Sequence, residues 1–136
     1  MKKIHLKAIK DNIEKVSDFV QEEMEDAGFP MKAQMQVAVA IDEIFVNIAN
    51  YAYGDKTGDA EVQVDFEDDG DELVLRFIDR GIPFNPLKAK LPDVTLPAEE
   101  REIGGLGILI VKKTMDGMKY CREDGKNILV LRKKRK

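Results

Sequence analysis

Three polar side chains that could do chemistry are grouped in an otherwise apolar segment of the chain. Glu43, Asn47 and Asn50 follow one another at spacings of four and three residues. At about 100° per residue, a helix would place all three in one narrow stripe. Because burying an unpaired polar group costs several kcal/mol, such a stripe needs partners or a polar cleft. An Asn carbonyl can ligate Mg²⁺ beside phosphate oxygens, and a Glu can deprotonate or orient a nucleophile.

The alternative interpretation of this stripe is a plain solvent-facing side of the helix. A solvent-facing side more often has Lys, Glu and Arg, and Asn lowers helix propensity without helping solubility. The helix alone leaves the functional and the structural interpretations open.

A second candidate is Asp79, which ends an apolar strand pattern and is followed by Arg80 and Gly81. A carboxylate at the end of a strand can accept a hydrogen bond from the amino group of a ligand, and adenine has such a group. The alternative is an ordinary Asp-Xaa-Gly turn, which is common in proteins.

A third candidate is the run Gly104-Gly105-Leu106-Gly107, which directly precedes an apolar helix pattern. Glycines let backbone amides approach a phosphate closely, and the N-terminus of a helix favours anions. No Lys-Ser/Thr follows, so the run is not a P-loop, and no strand precedes it, so it is not a Rossmann fingerprint. The alternative is a helix start after a mobile loop.

The pattern of apolar residues and turn signals predicts the elements that must position these candidates. Strands are predicted at 3–9, 61–66, 72–79, 118–122 and 127–133, and helices at 11–27, 31–53 and 105–115. Residues 81–103 contain prolines and a glycine, and their apolar residues show little periodicity. Such a stretch is typical of a lid or a disordered segment. The order of elements predicts one domain over 1–136, an α/β sandwich with a mostly antiparallel sheet and helices on one face.

Composition excludes several other functions. The 136 residues include one cysteine (Cys121) and one histidine (His5), and the only serine is Ser17, so neither a cysteine-rich zinc site nor a Ser/His/Asp triad is expected. Without the five basic residues at the end, the chain has 17 basic and 26 acidic residues, so its body is acidic. An acidic body argues against nucleic-acid binding. We expect a solvated basic tail, with a docking tail as the alternative. No membrane segment or signal peptide is evident, and the location expected is cytoplasmic.

In order and spacing, the three motifs resemble the N, G1 and G2 boxes of the gyrase/Hsp90/histidine-kinase/MutL ATPase superfamily. Within it, the chain is similar to bacterial anti-sigma factors that are also serine/threonine kinases. That similarity includes the Pro-Phe-Asn-Pro after Gly81 and the closing Gly-Lys-Asn-Ile-Leu-Val-Leu. It covers nearly the whole chain and implies the Bergerat-type ATP-binding fold.

The resemblance implies a role for each matching residue. Asn47 would ligate the Mg²⁺ that bridges the ATP phosphates, and Glu43 would accept the hydroxyl proton of a protein serine or threonine. Asp79 would bind the adenine amino group, with Gly81 allowing close approach. The other expected nucleotide-binding residues are Asn50, Gly104, Gly105, Leu106 and Gly107, and residues 87–103 would form the ATP lid.

The resemblance also implies partners. We expect an ATP-dependent kinase that binds a sigma factor and phosphorylates an anti-anti-sigma partner; the alternative is an ATP-dependent switch that binds partners without phosphotransfer. Glu43 favours the kinase, whereas Tyr51 departs from the histidine that many such kinases have before Ala-Tyr. A histidine-kinase catalytic fragment is the third hypothesis, and the lack of a phosphoacceptor helix disfavours it.

A homodimer is expected as well. With a single layer of helices, the far face of the sheet would be left partly apolar, and we assign Val62, Val64, Leu73, Leu75 and Val130 to that face. Exposed apolar area of this kind tends to be covered by a partner. The kinases that the chain resembles are likewise dimeric.

Overall fold

The computed structural model describes residues 1–54, 56–88 and 105–136. Its helices and strands are, in chain order, β1 (Lys2–Lys7), α1 (Ile13–Asp26), α2 (Met31–Asn47), β2 (Asp59–Glu67), β3 (Glu72–Asp79), α3 (Gly105–Thr114), β4 (Gly117–Glu123) and β5 (Lys126–Lys134). A π-helical segment, Ile48–Ala52, continues α2. The strands form a five-stranded sheet in the order β1-β2-β3-β5-β4, and every neighbouring pair is antiparallel. The predicted α/β sandwich is confirmed.

Helix α1 is amphipathic and ends where the sequence predicts. Val16, Val20 and Met24 recur every four residues and are fully buried. Gly28 then takes a positive φ of 78°, which a residue with a Cβ adopts only with strain. The amide of Phe29 donates to the carbonyl of Met24 at 3.0 Å, and the amide of Gly28 donates to that of Glu25. These two bonds form a Schellman motif, which satisfies carbonyls that the helix end would leave unpaired.

A single apolar core lies between the helices and one face of the sheet. Helix α2 contributes Val37, Ile41 and Phe45, which are fully buried, and β2 and β3 contribute Val62 and Phe77. Helix α2 is therefore buried on the side that faces the sheet. Its apolar composition predicts burial on most sides, and that prediction is wrong for Met31, Met35 and Val39, which are exposed. None of the helices in the described ranges has the length and apolar character that a membrane crossing requires.

The far face of the sheet differs from the prediction. Val62, Val64, Leu73 and Leu75 belong to the core against the helices, so their assignment to the far face is wrong. Alternation along a strand separates two faces but does not say which one the helices cover. The apolar residues that do lie on the far face are the half-buried Ile78, Ile128 and Val130 and the buried Val74.

The basic tail is not simply solvated, contrary to expectation, because most of it belongs to β5. Arg132 lies within 2.6 Å of Glu67 and 2.8 Å of Glu72, carboxylates that flank the β2–β3 turn. Arg135 pairs with Asp71 and donates to the carbonyl of Ala27 at 3.2 Å. Arg132 and Arg135 thus neutralise acidic residues of the same molecule.

Tyr53 joins the end of the second helix to the two strands beside it. Its hydroxyl donates to the carbonyl of Asp59 and accepts from the amide of Arg80 at 2.9 Å. Its ring lies so close to Gly58 that a Cβ there would come within 2.2 Å of it. Burial raises the pKa of Tyr53 above its ordinary value, so the hydroxyl stays protonated and able to donate to an even higher pH than a free tyrosine.

We predict that Tyr53→Phe lowers the free energy of unfolding by about 1 kcal/mol, since both hydrogen bonds are lost and their partners lie at the protein surface. Urea denaturation followed by circular dichroism measures the change. Tyr51→Phe is the matched control, because the same atom is removed from a side chain that is 37% exposed. Equal loss of stability in both variants would contradict the role assigned to Tyr53.

Candidate functional site

A cleft opens where the second helix, the end of β3 and the last two strands meet. It encloses about 550 Å³ of empty space, including its open mouth. Its lining is mostly apolar, and the polar side chains in it are Asn47, Asp79 and Asn127, with the hydroxyls of Tyr51 and Tyr120. The structure therefore brings two of the predicted site residues, Asn47 and Asp79, into one cleft.

Asp79 is the most buried ionisable group of this cleft, with 6% exposure. The amide of Gly81 donates to its Oδ1 at 2.9 Å, and the Nδ2 of Asn127 donates to the same oxygen at 3.0 Å. These two donors fix the plane of the carboxylate. Because both use Oδ1, Oδ2 is the oxygen that can accept a hydrogen bond from the amino group of a ligand.

Asn127 is a site residue that the sequence analysis missed. It lies opposite Asp79 on the neighbouring strand. Besides Asp79, its Nδ2 donates to the carbonyl of Ile82 at 2.8 Å, and its Oδ1 accepts from the amide of Phe84 at 3.3 Å and from the hydroxyl of Tyr120. One signal was available in the sequence: Asn127 has the same strand phase as Leu129 and Leu131, which are buried.

Gly81 is required by packing against the helix end. A Cβ at this position would lie 2.1 Å from the carbonyl oxygen of Ala52, far inside van der Waals contact. The next amide, that of Ile82, donates to the same carbonyl at 2.7 Å. Arg122 holds the loop from the other side, since its Nη1 donates to the carbonyl of Gly81 at 2.7 Å. The glycine thus lets the loop after β3 lie directly on the π-helical segment.

Gly107 brings the start of α3 against Glu43. A Cβ on Gly107 would lie 1.8 Å from the Oε2 of Glu43, so a larger residue here would push the Glu43 carboxylate out of its present position. Glu43 is half-buried and lies one helical turn before Asn47, which lines the cleft. The carboxylate therefore lies near the first turn of α3, where the helix presents free backbone amides to an anion.

Glu43 and Asn47 lie on one side of α2, as predicted, but Asn50 does not share their surroundings. Asn50 is exposed, and Tyr51 lines the cleft instead. The wider turn of the π-helical segment rotates the residues after Asn47 away from their positions in a regular α-helix. A role for Asn50 in nucleotide binding stays a prediction.

Part of the second glycine motif lies outside the described residues. Gly104 and residues 89–103, which include most of the predicted lid, are not described, nor is the side chain of Leu106. Gly105 is the first residue of α3. The stem of the predicted lid is held by Lys112, whose Nζ donates to the carbonyl of Leu87 at 3.0 Å.

The donor set suits a cation that is held together with phosphates. Across residues 1–54, 56–88 and 105–136, no three His, Cys, Asp or Glu side chains come together as a metal cage. Mg²⁺ usually binds to one or two protein oxygens while substrate phosphates and water supply the rest. The side-chain carbonyl oxygen of Asn47, which lines the cleft, fits the role of such a protein ligand.

Fold and cleft together define a class of protein. Three features are those of a Bergerat-type nucleotide-binding domain. The antiparallel sheet is covered by helices on one face, and a buried acid lies at the end of a central strand. A helix that starts with glycines lies beside the helix that contains Asn47. Consistently, a profile of the histidine kinase-like ATPase domain matches residues 6–133. The chain belongs to this family.

The relatives with similar sequences are named as kinases. The serine-protein kinase RsbW of Bacillus mycoides is 29% identical over 107 residues, which are 76% of this chain and 66% of the relative. The protein of the same name from Listeria monocytogenes is 29% identical over 108 residues, 76% of this chain and 68% of the relative. The chain thus spans slightly less than two thirds of the Bacillus mycoides relative.

A solved structure has the same fold. The crystal structure of the RsbU and RsbW domains of a Mycobacterium tuberculosis protein superposes with a TM-score of 0.66, over 98% of this chain and 32% of that one. The sequence identity is 15%, so the likeness concerns the fold.

We predict that Asn127→Ala weakens ATP binding about 10- to 100-fold, because Asp79 loses one of the two donors that fix its carboxylate. The range corresponds to about 1–3 kcal/mol, the cost of leaving a buried polar group without its partner. Isothermal titration calorimetry measures the affinity. Gln63→Ala, which removes a side-chain amide from the far face of the sheet, is the control and should bind like the wild type. Unchanged affinity in Asn127→Ala would show that Asp79 does not depend on this amide.

Proposed function

We propose that this protein is a cytoplasmic, ATP-binding anti-sigma factor and serine/threonine kinase that phosphorylates an anti-anti-sigma partner. The observation that carries the proposal is the position of Glu43. Its carboxylate lies against Gly107 at the start of α3 and one turn from Asn47 in the cleft. A domain that only senses a nucleotide needs Asn47 but no base. The names of the serine-protein kinase relatives support the proposal.

The adenine would lie at the Asp79 end of the cleft. Asp79 offers Oδ2 to the amino group of the base, while Gly81 and Asn127 hold Oδ1. Phe77 and Ile48 supply apolar surface for the faces of the ring. A 6-keto purine has an acceptor where adenine has the amino group, so the carboxylate favours adenine.

The phosphates would lie between Asn47 and the first turn of α3. The free amides at the N-terminus of a helix favour negative charge, and glycines let a phosphate approach them closely. Mg²⁺, when bound, neutralises phosphate charge, and the Asn47 carbonyl would be its protein ligand. We propose that Gly104, Gly105, Leu106 and Gly107 wrap the phosphates.

Glu43 would act as the general base. It accepts the proton from the hydroxyl of a serine or threonine of the partner as that oxygen forms a bond to the γ-phosphorus. The bond between the γ-phosphorus and the oxygen that bridges it to the β-phosphate breaks, and ADP leaves with the electron pair. The carboxylate lies beside Gly107 in the first turn of α3, next to the position proposed for the phosphates.

The second candidate function is an ATP-dependent switch that binds partners and transfers no phosphate. The observation in its favour is Tyr51, which lines the cleft at the position where many kinases of the resembled group have a histidine. In this case Glu43 would only orient a water or an amide.

We predict that Glu43→Gln and Asn47→Ala separate proton transfer from nucleotide binding. Glu43→Gln should lower phosphotransfer to an anti-anti-sigma protein by about 10²–10⁴-fold, since glutamine cannot take a proton at neutral pH. Its affinity for Mg-ATP should change little. Asn47→Ala should lose the Mg²⁺-dependent part of the affinity for ATP. Labelled ATP measures transfer, and calorimetry with and without Mg²⁺ measures binding.

Two results would contradict these assignments. Transfer at the wild-type rate in Glu43→Gln would remove Glu43 from the chemistry, and equal Mg-ATP affinity in Asn47→Ala would remove Asn47 from the metal site. Transfer that is undetectable in the wild type, together with ATP-dependent partner binding, would establish the switch instead.

We also propose a homodimer, on a corrected basis. The half-buried Ile78, Ile128 and Val130 give the far face of the sheet apolar area for a second copy to cover. Sedimentation at tens of micromolar should show a species of twice 15.4 kDa. A single 15.4 kDa species would contradict the dimer without affecting the assignment of the cleft.

A further inference from the structure

The side of α2 that faces away from the sheet is apolar. Met31, Met35 and Val39 follow one another at four-residue spacing and are 66%, 63% and 44% exposed. Val46 continues the same side and is half-buried. Residues at these spacings share one helix face, so the four form a stripe that is about 22 Å long. We call these four residues the α2 stripe.

This composition is unusual for an outward helix side, which normally has charged and polar residues. The cleft does not account for it, because the α2 residues that line the cleft are Ile44 and Asn47. Two of the four residues are methionines, whose flexible side chains adapt to different partner surfaces. An exposed apolar stripe of this length indicates an interaction surface.

An acidic row runs beside the α2 stripe on α1. The Nε2 of Gln21 donates to the carbonyl of Gln34 at 3.0 Å, and Glu25 accepts from the Nε2 of Gln34 at 2.8 Å. These contacts place that side of α1 against α2. Glu14 and Asp18 precede Gln21 and Glu25 by seven residues each, so they share the same side, and both are exposed. We call Glu14, Asp18 and Glu25 the α1 acidic row.

A further carboxylate lies within the stripe itself. Asp42 comes three residues after Val39 and four before Val46. Burial raises the pKa of Asp42 above its ordinary value, since its surroundings disfavour the charged form. Asp42 is nevertheless exposed, so a cation on a partner can reach its carboxylate.

We propose that the α2 stripe and the α1 acidic row together bind a basic amphipathic helix of a partner protein. Apolar side chains at helical spacing on that partner would cover the methionines and Val39. Lysines or arginines on one flank would lie against the acidic row and Asp42. The surface is separate from the nucleotide cleft, so binding there leaves Asn47 and Asp79 free to bind ATP.

A second copy of this chain fits the surface less well. In the second copy, the α2 stripe is again flanked by the acidic helix α1. An antiparallel pairing of the two stripes would therefore bring the two α1 acidic rows, which have the same charge, together. Like-charge contacts at an interface weaken association. Charge complementarity therefore favours a basic partner.

The test uses two synthetic helical peptides of roughly 18 residues, long enough to cover the stripe. One has leucines at helical spacing with lysines beside them, and the other has glutamates in place of the lysines. Titration of each into the ¹⁵N-labelled protein, followed by NMR, gives both the affinity and the surface contacted. We expect the lysine peptide to bind and to shift the amides of Met35, Val39 and Asp42, and the glutamate peptide to bind at least 10-fold more weakly.

Three variants locate the surface. The double variants Met35→Ser/Val39→Ser and Glu14→Gln/Asp18→Asn should each weaken the lysine peptide at least 10-fold. The control Glu123→Gln/Asp124→Asn removes two exposed carboxylates from the β4–β5 turn and should bind like the wild type. All three should bind ATP normally, so failure here is distinguishable from failure of the proposed kinase function.

Three outcomes would overturn the proposal. Equal binding of both peptides would show that charge does not select the occupant. Shifts confined to the sheet, or an absence of binding, would show that the stripe is not the docking surface. A self-association that Met35→Ser/Val39→Ser abolishes would assign the stripe to a second copy of this chain.

Discussion

Asp79 is a carboxylate buried at the end of a central strand, and without partners its charge would cost several kcal/mol. The surrounding chain supplies those partners from two directions. The loop after β3 turns back to donate the amide of Gly81, and β5 donates the side chain of Asn127. Asn127 also bonds to the carbonyl of Ile82, so the same side chain holds both the acid and the loop beside it. The geometry of the cleft follows from this requirement.

The second helix is the element against which both glycine motifs pack. Gly81 lies on the carbonyl of Ala52 at its π-helical end, and Gly107 lies beside the carboxylate of Glu43, about two and a half turns earlier. A Cβ on Gly81 would overlap the backbone of Ala52, which cannot move cheaply, whereas a Cβ on Gly107 would overlap the carboxyl end of the Glu43 side chain and displace it. The two glycines therefore permit these helix contacts, in addition to any contact with a nucleotide. The second helix thus positions both glycine motifs.

Helix α2 also separates two surfaces of different chemistry. Its inner side offers Asn47 to the cleft, whereas its outer side offers methionines and Val39 to solvent beside an acidic helix. A rigid helix between them would let a bound partner lie close to the nucleotide without competing for the same residues. The acidic character of the body, which argues against nucleic acid, is in this view suited to a basic protein segment.

The sequence by itself determined the order of elements, the sandwich class and the pairing of Glu43 with Asn47, because these depend on local periodicity and turn residues. Asp79 was also found, since it lies next to its own glycine. Asn127 was not, because its importance comes from a strand pairing across 48 residues, which no local pattern encodes. The assignment of Val62 and Leu75 to the far face was wrong for a related reason: alternation defines two faces, and only tertiary packing decides which one is covered. The exposure of Asn50 was likewise decided by the π-helical segment, whose wider turn changes the spacing that an ideal helix would keep.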